Sequence, residues 1–200
     1  MNKLLEICKS IGILLLYILL PAILIEITKL QIIPYIVLVI IYTLIFKKEY
    51  LKIKEINKKT LITGFLCWIT GLALMIITSA ILEHFMKGLP QNEESIRDIL
   101  SENKITMIIT AIIFAPFLEE TAFRLGFKKS IKNKYLYVII TSLLFGYIHV
   151  IGEKGIKLLF IIPYSIMGAS FAIANVKTDN IYSSVIFHTL HNIISLLLVL

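Results

Sequence analysis

Two adjacent glutamates and an arginine lie near the end of a largely apolar stretch of the chain, residues 105–127. They are Glu119, Glu120 and Arg124. Ionised side chains at membrane depth cost at least about 2.5 kcal/mol each to insert, so they mark a functional site whose partners must be identified. On a helix, Glu120 and Arg124 are four residues apart and can pair, whereas Glu119 is rotated about 100° away and lacks that local partner. Glu119 is therefore the candidate reactive carboxylate.

Two later apolar segments each carry a histidine on the same helical face as a second group. Phe145 precedes His149 by four residues, and His188 precedes Asn192 by four. A lone histidine in an apolar helix more often packs or makes an interhelical hydrogen bond. A glutamate with a histidine can deprotonate water, and N–H donors can stabilise a tetrahedral oxyanion. The combination of all three segments therefore predicts a site for amide hydrolysis.

The same residues also allow a metal-dependent reading. One carboxylate and two histidines, Glu119, His149 and His188, resemble a zinc ligand set with an open position for water. The sequence contains no HExxH motif, which counts against the best-known zinc protease arrangement. We favour a metal-free scheme without a cofactor, because a Glu/His pair and an Asn/His pair suffice chemically. Zinc remains the alternative.

Composition defines the fold class. The chain has 200 residues, 58% of them hydrophobic and 16% charged, which is typical of a polytopic membrane protein built as one integral membrane domain. Two cysteines without CxxC spacing predict neither a disulfide framework nor a structural zinc. The net charge of +7 is concentrated in two lysine-rich loops, which indicates anchoring beside anionic membrane lipid and no nucleic-acid partner.

A bilayer core requires about 20 mostly apolar helical residues. On that criterion the sequence predicts an all-α transmembrane bundle with seven candidate spans, the second short enough to be tilted or re-entrant. These are residues 11–27, 32–46, 61–85, 105–127, 135–151, 156–176 and 181–200.

The lysine-rich loops predict the orientation. Residues 47–59 and 128–134 hold most of the loop lysines and are separated by two spans, so both lie on one side, which the positive-inside rule makes cytoplasmic. The amino terminus, with Lys3 and Lys9, agrees. The acidic segment 87–104 would face outward as a surface turn or a short interfacial helix.

Three ordered motifs carry a family resemblance. Residues 119–124 read EExxxR, residues 145–149 read FxxxH and residues 188–192 read HxxxN. This series resembles the CPBP (Abi) family, which comprises the CAAX prenyl endopeptidases and bacteriocin-processing or immunity proteins. The resemblance covers roughly the carboxyl-terminal half, and it implies a glutamate-dependent intramembrane endopeptidase.

The resemblance also implies roles for the motif residues. Glu119 would be the water-activating base, with His149 as its partner at the water. His188 and Asn192 would stabilise the oxyanion. The remaining motif residues would orient the site: Glu120, Arg124 and Phe145.

The predicted depths of these residues differ. His149 lies about 21 Å along its helix from the cytoplasmic end, whereas Glu119 and His188 lie about 12 Å from theirs. A later start of the helix that carries His149, helix tilt, or a deep, water-filled cavity that opens toward the cytoplasm would reconcile the depths, and we favour the cavity.

We therefore expect scaffold helices in residues 1–104 and a catalytic core in residues 105–200. The expected location is a prokaryotic cell membrane, with the amino terminus and the active-site opening on the cytoplasmic side. The expected partner is a peptide or protein substrate, a prenylated CAAX-type peptide being one candidate. The alternative function is a non-catalytic membrane protein that confers immunity or binds a peptide through the same polar cavity.

Overall fold

The computed structural model describes residues 3–86 and 90–199, and the regular structure within them is helical throughout. The predicted all-α class is confirmed. The helices are α1 (Lys3–Thr28), α2 (Ile33–Tyr50), α3 (Lys58–Met86), α4 (Gln91–Glu102), α5 (Lys104–Ile109), α6 (Ala115–Glu120), α7 (Lys134–His149), α8 (Ile161–Thr178) and α9 (Tyr182–Val199). Short 3₁₀ helices, Leu51–Glu55 and Gly155–Phe160, precede α3 and α8.

The glutamates lie on a helix of mixed geometry. Helices α5 and α6 are joined and extended by two π-helical segments, Thr110–Phe114 and Thr121–Leu125, into one helix over Lys104–Leu125. We call it the glutamate helix. Segments of π-helix are rare and often mark functional sites, and here one of them directly follows the two glutamates.

Among the described residues, five helices are long and apolar enough to cross a membrane, so the predicted count of seven spans is not confirmed. They are Lys3–Thr28, Lys58–Met86, Lys104–Leu125, Gly155–Thr178 and Tyr182–Val199. Helix α2 has 18 residues but carries Lys47, Lys48 and Glu49 near its end. Helix α7 has 16 residues, a length of about 24 Å against a hydrocarbon core of about 30 Å. Predicted boundaries at 87–89 and at 200 lie outside the described residues.

The outer faces of the long helices are apolar. On α1, Leu15, Leu19 and Ile23 are about half exposed, and Leu74 and Ile77 repeat this on α3. Such continuous apolar surfaces are typical of helices that face lipid rather than water. The protein is therefore an integral membrane protein.

The lysine-rich loops meet at one end of the bundle, as predicted. Lys52 and Lys128 lie 2.7 and 2.8 Å from the carboxylate of Asp179, which follows α8. Both lysines also pair with Glu49, at 3.2 and 3.0 Å. Partial burial raises the pKa of Asp179, but hydrogen bonds from Lys128 and Lys52 outweigh it and hold that pKa below its ordinary value. We call this the lysine-rich end.

Helices α1 and α2 pack directly against the glutamate helix. Leu38 and Tyr42 of α2 form one buried cluster with Leu118, Ala122 and Phe123. The Tyr42 hydroxyl donates to the carbonyl oxygen of Ile13 at 2.9 Å, which fastens α2 to α1. The amino-terminal helices thus form one wall of the region that holds the glutamates.

Helix α8 packs between α7 and α3 on the other side. Gly146 of α7 permits the approach, because a Cβ there would collide with Ser165 Oγ and lie 2.8 Å from the carbonyl oxygen of Ile161. This is the close helix packing that a small residue at position 146 favours.

Candidate active site

Glu120 and Arg124 form a fully buried ion pair. Arg124 Nε donates to Glu120 Oε2 at 3.0 Å, and both side chains have 0% exposure. A second guanidinium nitrogen, Nη1, donates to the carbonyl oxygen of Thr141 at 3.3 Å on α7. The four-residue spacing therefore produces the local pair that the sequence predicts, and the arginine also links the glutamate helix to α7.

His188 of α9 lies between the two glutamates. Its Nδ1 is 3.2 Å from Glu120 Oε1, and its Nε2 is 3.7 Å from Glu119 Oε2. A carboxylate paired with arginine accepts hydrogen bonds, so His188 Nδ1 donates to Glu120 Oε1. This contact directs Nε2 at Glu119 Oε2, across a gap too long for a direct hydrogen bond.

Glu119 is held by a residue that sequence reasoning assigned to the scaffold. Its Oε1 accepts a hydrogen bond from the Tyr17 hydroxyl of α1 at 3.0 Å. Its Oε2 is buried and has no hydrogen-bond partner among the described residues. The available signal was the single hydroxyl in the apolar stretch 13–25 of α1.

Asn192 contacts the backbone of the glutamate helix. Ala115 N–H donates to the carbonyl oxygen of Thr110, the five-residue step of a π-helix. The next donor in that pattern would be at position 116, where proline has no N–H. Asn192 Nδ2 donates to the carbonyl oxygen of Ala111 at 2.8 Å instead. One N–H of the Asn192 amide therefore replaces the hydrogen bond that Pro116 cannot make.

Phe145 lies at the centre of the motif residues. Its ring centroid is 5.7 Å from that of His188 and 4.6 Å from that of His149, and the Arg124 guanidinium carbon is 5.3 Å from the same ring. The side chain is 2% exposed. Phe145 therefore separates the two imidazoles and forms an apolar wall beside the charged pair.

His149 lies one helical turn beyond Phe145 on α7. Its Nδ1 donates to the carbonyl oxygen of Phe145 at 2.7 Å, and its ring stacks on Tyr164 at 4.8 Å. Within the described part of the chain, no hydrogen bond or ion pair joins it to Glu119. One turn of α7 places His149 about 6 Å along the helix from Phe145.

A cavity of about 220 Å³ borders His149 on its far side. It is lined by residues of α4 and of the turn after α7, including Gln91, Ser95 and Glu153. Because α7 starts at the lysine-rich end and finishes at His149, this cavity lies at the opposite end of the bundle. The active-site opening expected at the lysine-rich end stays a prediction.

The residues do not gather into a three-ligand metal site in this arrangement. Glu119 and His188 converge, but His149 stays a turn away, and among residues 3–86 and 90–199 no group of three His, Cys, Asp or Glu side chains is arranged to bind a metal ion. The structure thus brings Glu119 and His188 together, and the choice between the metal-free scheme and zinc stays a prediction.

Comparison with known proteins shows what the carboxyl-terminal half of the chain is similar to. Residues 101–194 match the model of the family described as type II CAAX prenyl endopeptidase Rce1-like, and this range contains all three motifs. A 97-residue segment is 30% identical to an uncharacterized protein of Mycoplasma capricolum subsp. capricolum, covering 48% of this chain and 28% of that protein. No solved structure matches the chain. Residues 101–194 are therefore similar to the Rce1-like type II CAAX prenyl endopeptidase family, in agreement with the resemblance carried by the three motifs.

Proposed function

We propose that the protein is an intramembrane endopeptidase that hydrolyses a peptide bond with water activated by Glu119 and His188. One observation carries this proposal: the unpartnered Glu119 Oε2 faces His188 Nε2 at 3.7 Å. Both atoms are acceptors when Glu119 is ionised and His188 is neutral. A water molecule that donates one hydrogen to each would satisfy both and would be polarised for attack.

The reaction follows from this arrangement. The water oxygen attacks the substrate carbonyl carbon while its proton passes to the Glu119/His188 pair. The C–N bond of the tetrahedral intermediate then breaks, and the same proton passes to the leaving amine. Glu120 accepts from His188 Nδ1 and keeps the ring in the tautomer required. Arg124 balances the charge of Glu120, so these two residues position the histidine rather than react.

Asn192 and His149 complete the proposed site. The Asn192 amide has a second N–H that can donate to the oxyanion, while its first bonds Ala111. His149 donates from Nδ1 to Phe145, so Nε2 of its neutral ring is an acceptor for a substrate N–H or a water. The resemblance implied that His149 assists Glu119 at the water and that His188 stabilises the oxyanion. Because His188 lies beside Glu119, the geometry supports assigning the water to His188 instead.

The proposed activity is tested with purified protein in liposomes. Three peptides are offered: a prenylated CAAX-type peptide, its unprenylated form and a scrambled sequence. We expect cleavage of at least the prenylated peptide, detected by mass spectrometry, with the same rate after treatment with a strong zinc chelator. Loss of cleavage on chelation that zinc restores would contradict the metal-free scheme. Binding of peptide without cleavage would favour the immunity or peptide-binding role.

Tyr17→Phe tests whether α1 contributes to the site. The hydroxyl donates to Glu119 Oε1, so its removal leaves a buried carboxylate with less stabilisation and less fixed orientation. Loss of one hydrogen bond to a charged group costs about 1.5–3 kcal/mol. We expect kcat to fall about 10- to 100-fold, because each 1.4 kcal/mol in the barrier is a factor of ten.

Tyr42→Phe is the matched control for that variant. Its hydroxyl also fastens α1, through the carbonyl oxygen of Ile13, but does not contact Glu119. We expect a small loss of stability with kcat preserved. Equal losses of kcat in the two variants would mean that Tyr17 acts through α1 packing alone.

A further inference from the structure

A second cavity lies at the lysine-rich end, away from the motif residues. Its volume is about 810 Å³, and it lies between the first turns of α1 and the segment that leads into α7. This volume falls within the range of about 300–1,000 Å³ that is usual for small-molecule sites. Its lining combines lysines with large apolar side chains, namely Lys3, Lys129 and Lys132 with Ile7, Leu136 and Ile140.

The charge of this cavity is positive. Lys129 and Lys132 have exposed side chains, as does Lys3. The cavity also contains one carboxylate, Glu6, but Lys9 pairs with it at 2.9 Å. The cavity therefore has three lining lysines and one carboxylate, whose charge Lys9 already neutralises. Lys52 and Lys128 at the same end differ, because they are bound to Asp179 and Glu49.

The apolar part of the lining is accessible beside these charges. Ile7, Leu136 and Ile140 are 38%, 51% and 37% exposed. They lie in the first two turns of α1 and α7, at the lysine-rich end of the bundle. An ammonium group above an exposed apolar wall at a membrane surface is complementary to a molecule with an anionic head and an acyl tail.

The floor of the cavity connects to the glutamate helix. Ser10 Oγ of α1 is 2.6 Å from the carbonyl oxygen of Gly126 and 2.9 Å from Ser130 Oγ. Gly126 immediately follows the glutamate helix. A ligand in the cavity would therefore touch both α1 and the segment that α1 is fastened to.

We propose that this cavity binds the phosphate headgroup of an anionic phospholipid from the adjacent leaflet, with Lys3, Lys129 and Lys132 as the phosphate ligands. The acyl chain lies along Ile7, Leu136 and Ile140. Binding holds the start of α1 against the chain after Gly126 and stabilises the bundle. This inference does not depend on the proposed protease activity, and its readouts are binding and stability.

The test compares the full chain with two triple variants. Lys3→Gln/Lys129→Gln/Lys132→Gln removes the cavity lysines. The matched control, Lys54→Gln/Lys58→Gln/Lys59→Gln, removes three exposed lysines from the start of α3 and the 3₁₀ helix before it, so the net charge changes equally. Each protein is titrated with phosphatidylglycerol or phosphatidylcholine in detergent micelles, and bound lipid is counted by native mass spectrometry alongside the melting temperature. Inorganic phosphate is a third ligand.

We expect phosphatidylglycerol, but not phosphatidylcholine, to raise the melting temperature of the wild type and of the control. The cavity variant should bind phosphatidylglycerol at least about tenfold more weakly, because it lacks the three lysines that attract an anionic headgroup. Equal weakening in both variants would overturn the proposal in favour of diffuse surface charge. A full melting shift from inorganic phosphate alone would overturn the lipid assignment.

Discussion

Replacing Glu119 by glutamine lowers kcat for peptide cleavage by at least about 100-fold and leaves the fold intact. Glutamine keeps the size of the side chain and its carbonyl still accepts from Tyr17, but it cannot take a proton from water. The free carboxylate oxygen that faces His188 Nε2 at 3.7 Å becomes a neutral amide group. The measurement is single-turnover cleavage in liposomes, with circular dichroism and thermal unfolding to verify the fold.

Glu26→Gln is the control for that result. Its carboxylate is 81% exposed near the end of α1 and pairs with Lys29. An exposed pair of this kind contributes about 0–1 kcal/mol to stability, so we expect kcat and the fold to be unchanged. Turnover by Glu119→Gln within a few-fold of the wild type would exclude Glu119 as the base.

Arg124→Met produces the largest loss of stability that we expect from a single substitution. It removes the partner of Glu120, whose carboxylate has 0% exposure, and leaves that charge within the bundle. Breaking a buried ion pair from one side costs about 3–5 kcal/mol. The hydrogen bond from the guanidinium to Thr141, which links the glutamate helix to α7, is lost as well. Thermal or denaturant unfolding in detergent measures the effect.

Two further variants make that measurement specific. Lys128→Met removes a cation four residues later whose pairs with Glu49 and Asp179 are partly exposed, so we expect a loss of about 1 kcal/mol or less. Glu120→Gln combined with Arg124→Met removes both buried charges and should regain part of the lost stability. Equal destabilisation by Arg124→Met and Lys128→Met would contradict a buried pair.

Local spacing predicted much of the site. The pairing of Glu120 with Arg124 and the contact of Phe145 with His149 both follow from a four-residue step on one helix. The close approach at Gly146 follows from the absence of a side chain. Each of these features lies within one helix or on its surface. There the 3.6-residue period of the helix determines which side chains are neighbours.

Contacts between helices could not be predicted in the same way. Two contacts of Glu119 depend on how α9 and α1 are shifted and rotated against the glutamate helix. One is its proximity to His188, and the other is the hydrogen bond that Tyr17 donates to it. No period in the sequence encodes that register. The hydrogen bond from Asn192 to Ala111 could have been predicted only with the knowledge that a π-helical turn precedes Pro116.

The span count shows a limit of hydropathy alone. Residues 32–46 and 135–151 are apolar enough to suggest crossings, yet α2 ends in charged residues and α7 has 16 residues. Helix α7 begins at the lysine-rich end and ends at His149, where α4 and the following turn border it. Its apolar character reflects packing against α8 as well as the membrane.

The most direct test of the central claim is mass spectrometry of one prenylated CAAX-type peptide after incubation with the wild type and with Glu119→Gln, side by side in the same lipid. We predict a single internal cleavage with the wild type and intact peptide with the variant. Intact peptide with both proteins, or the same product from both, would contradict a site in which Glu119 activates water.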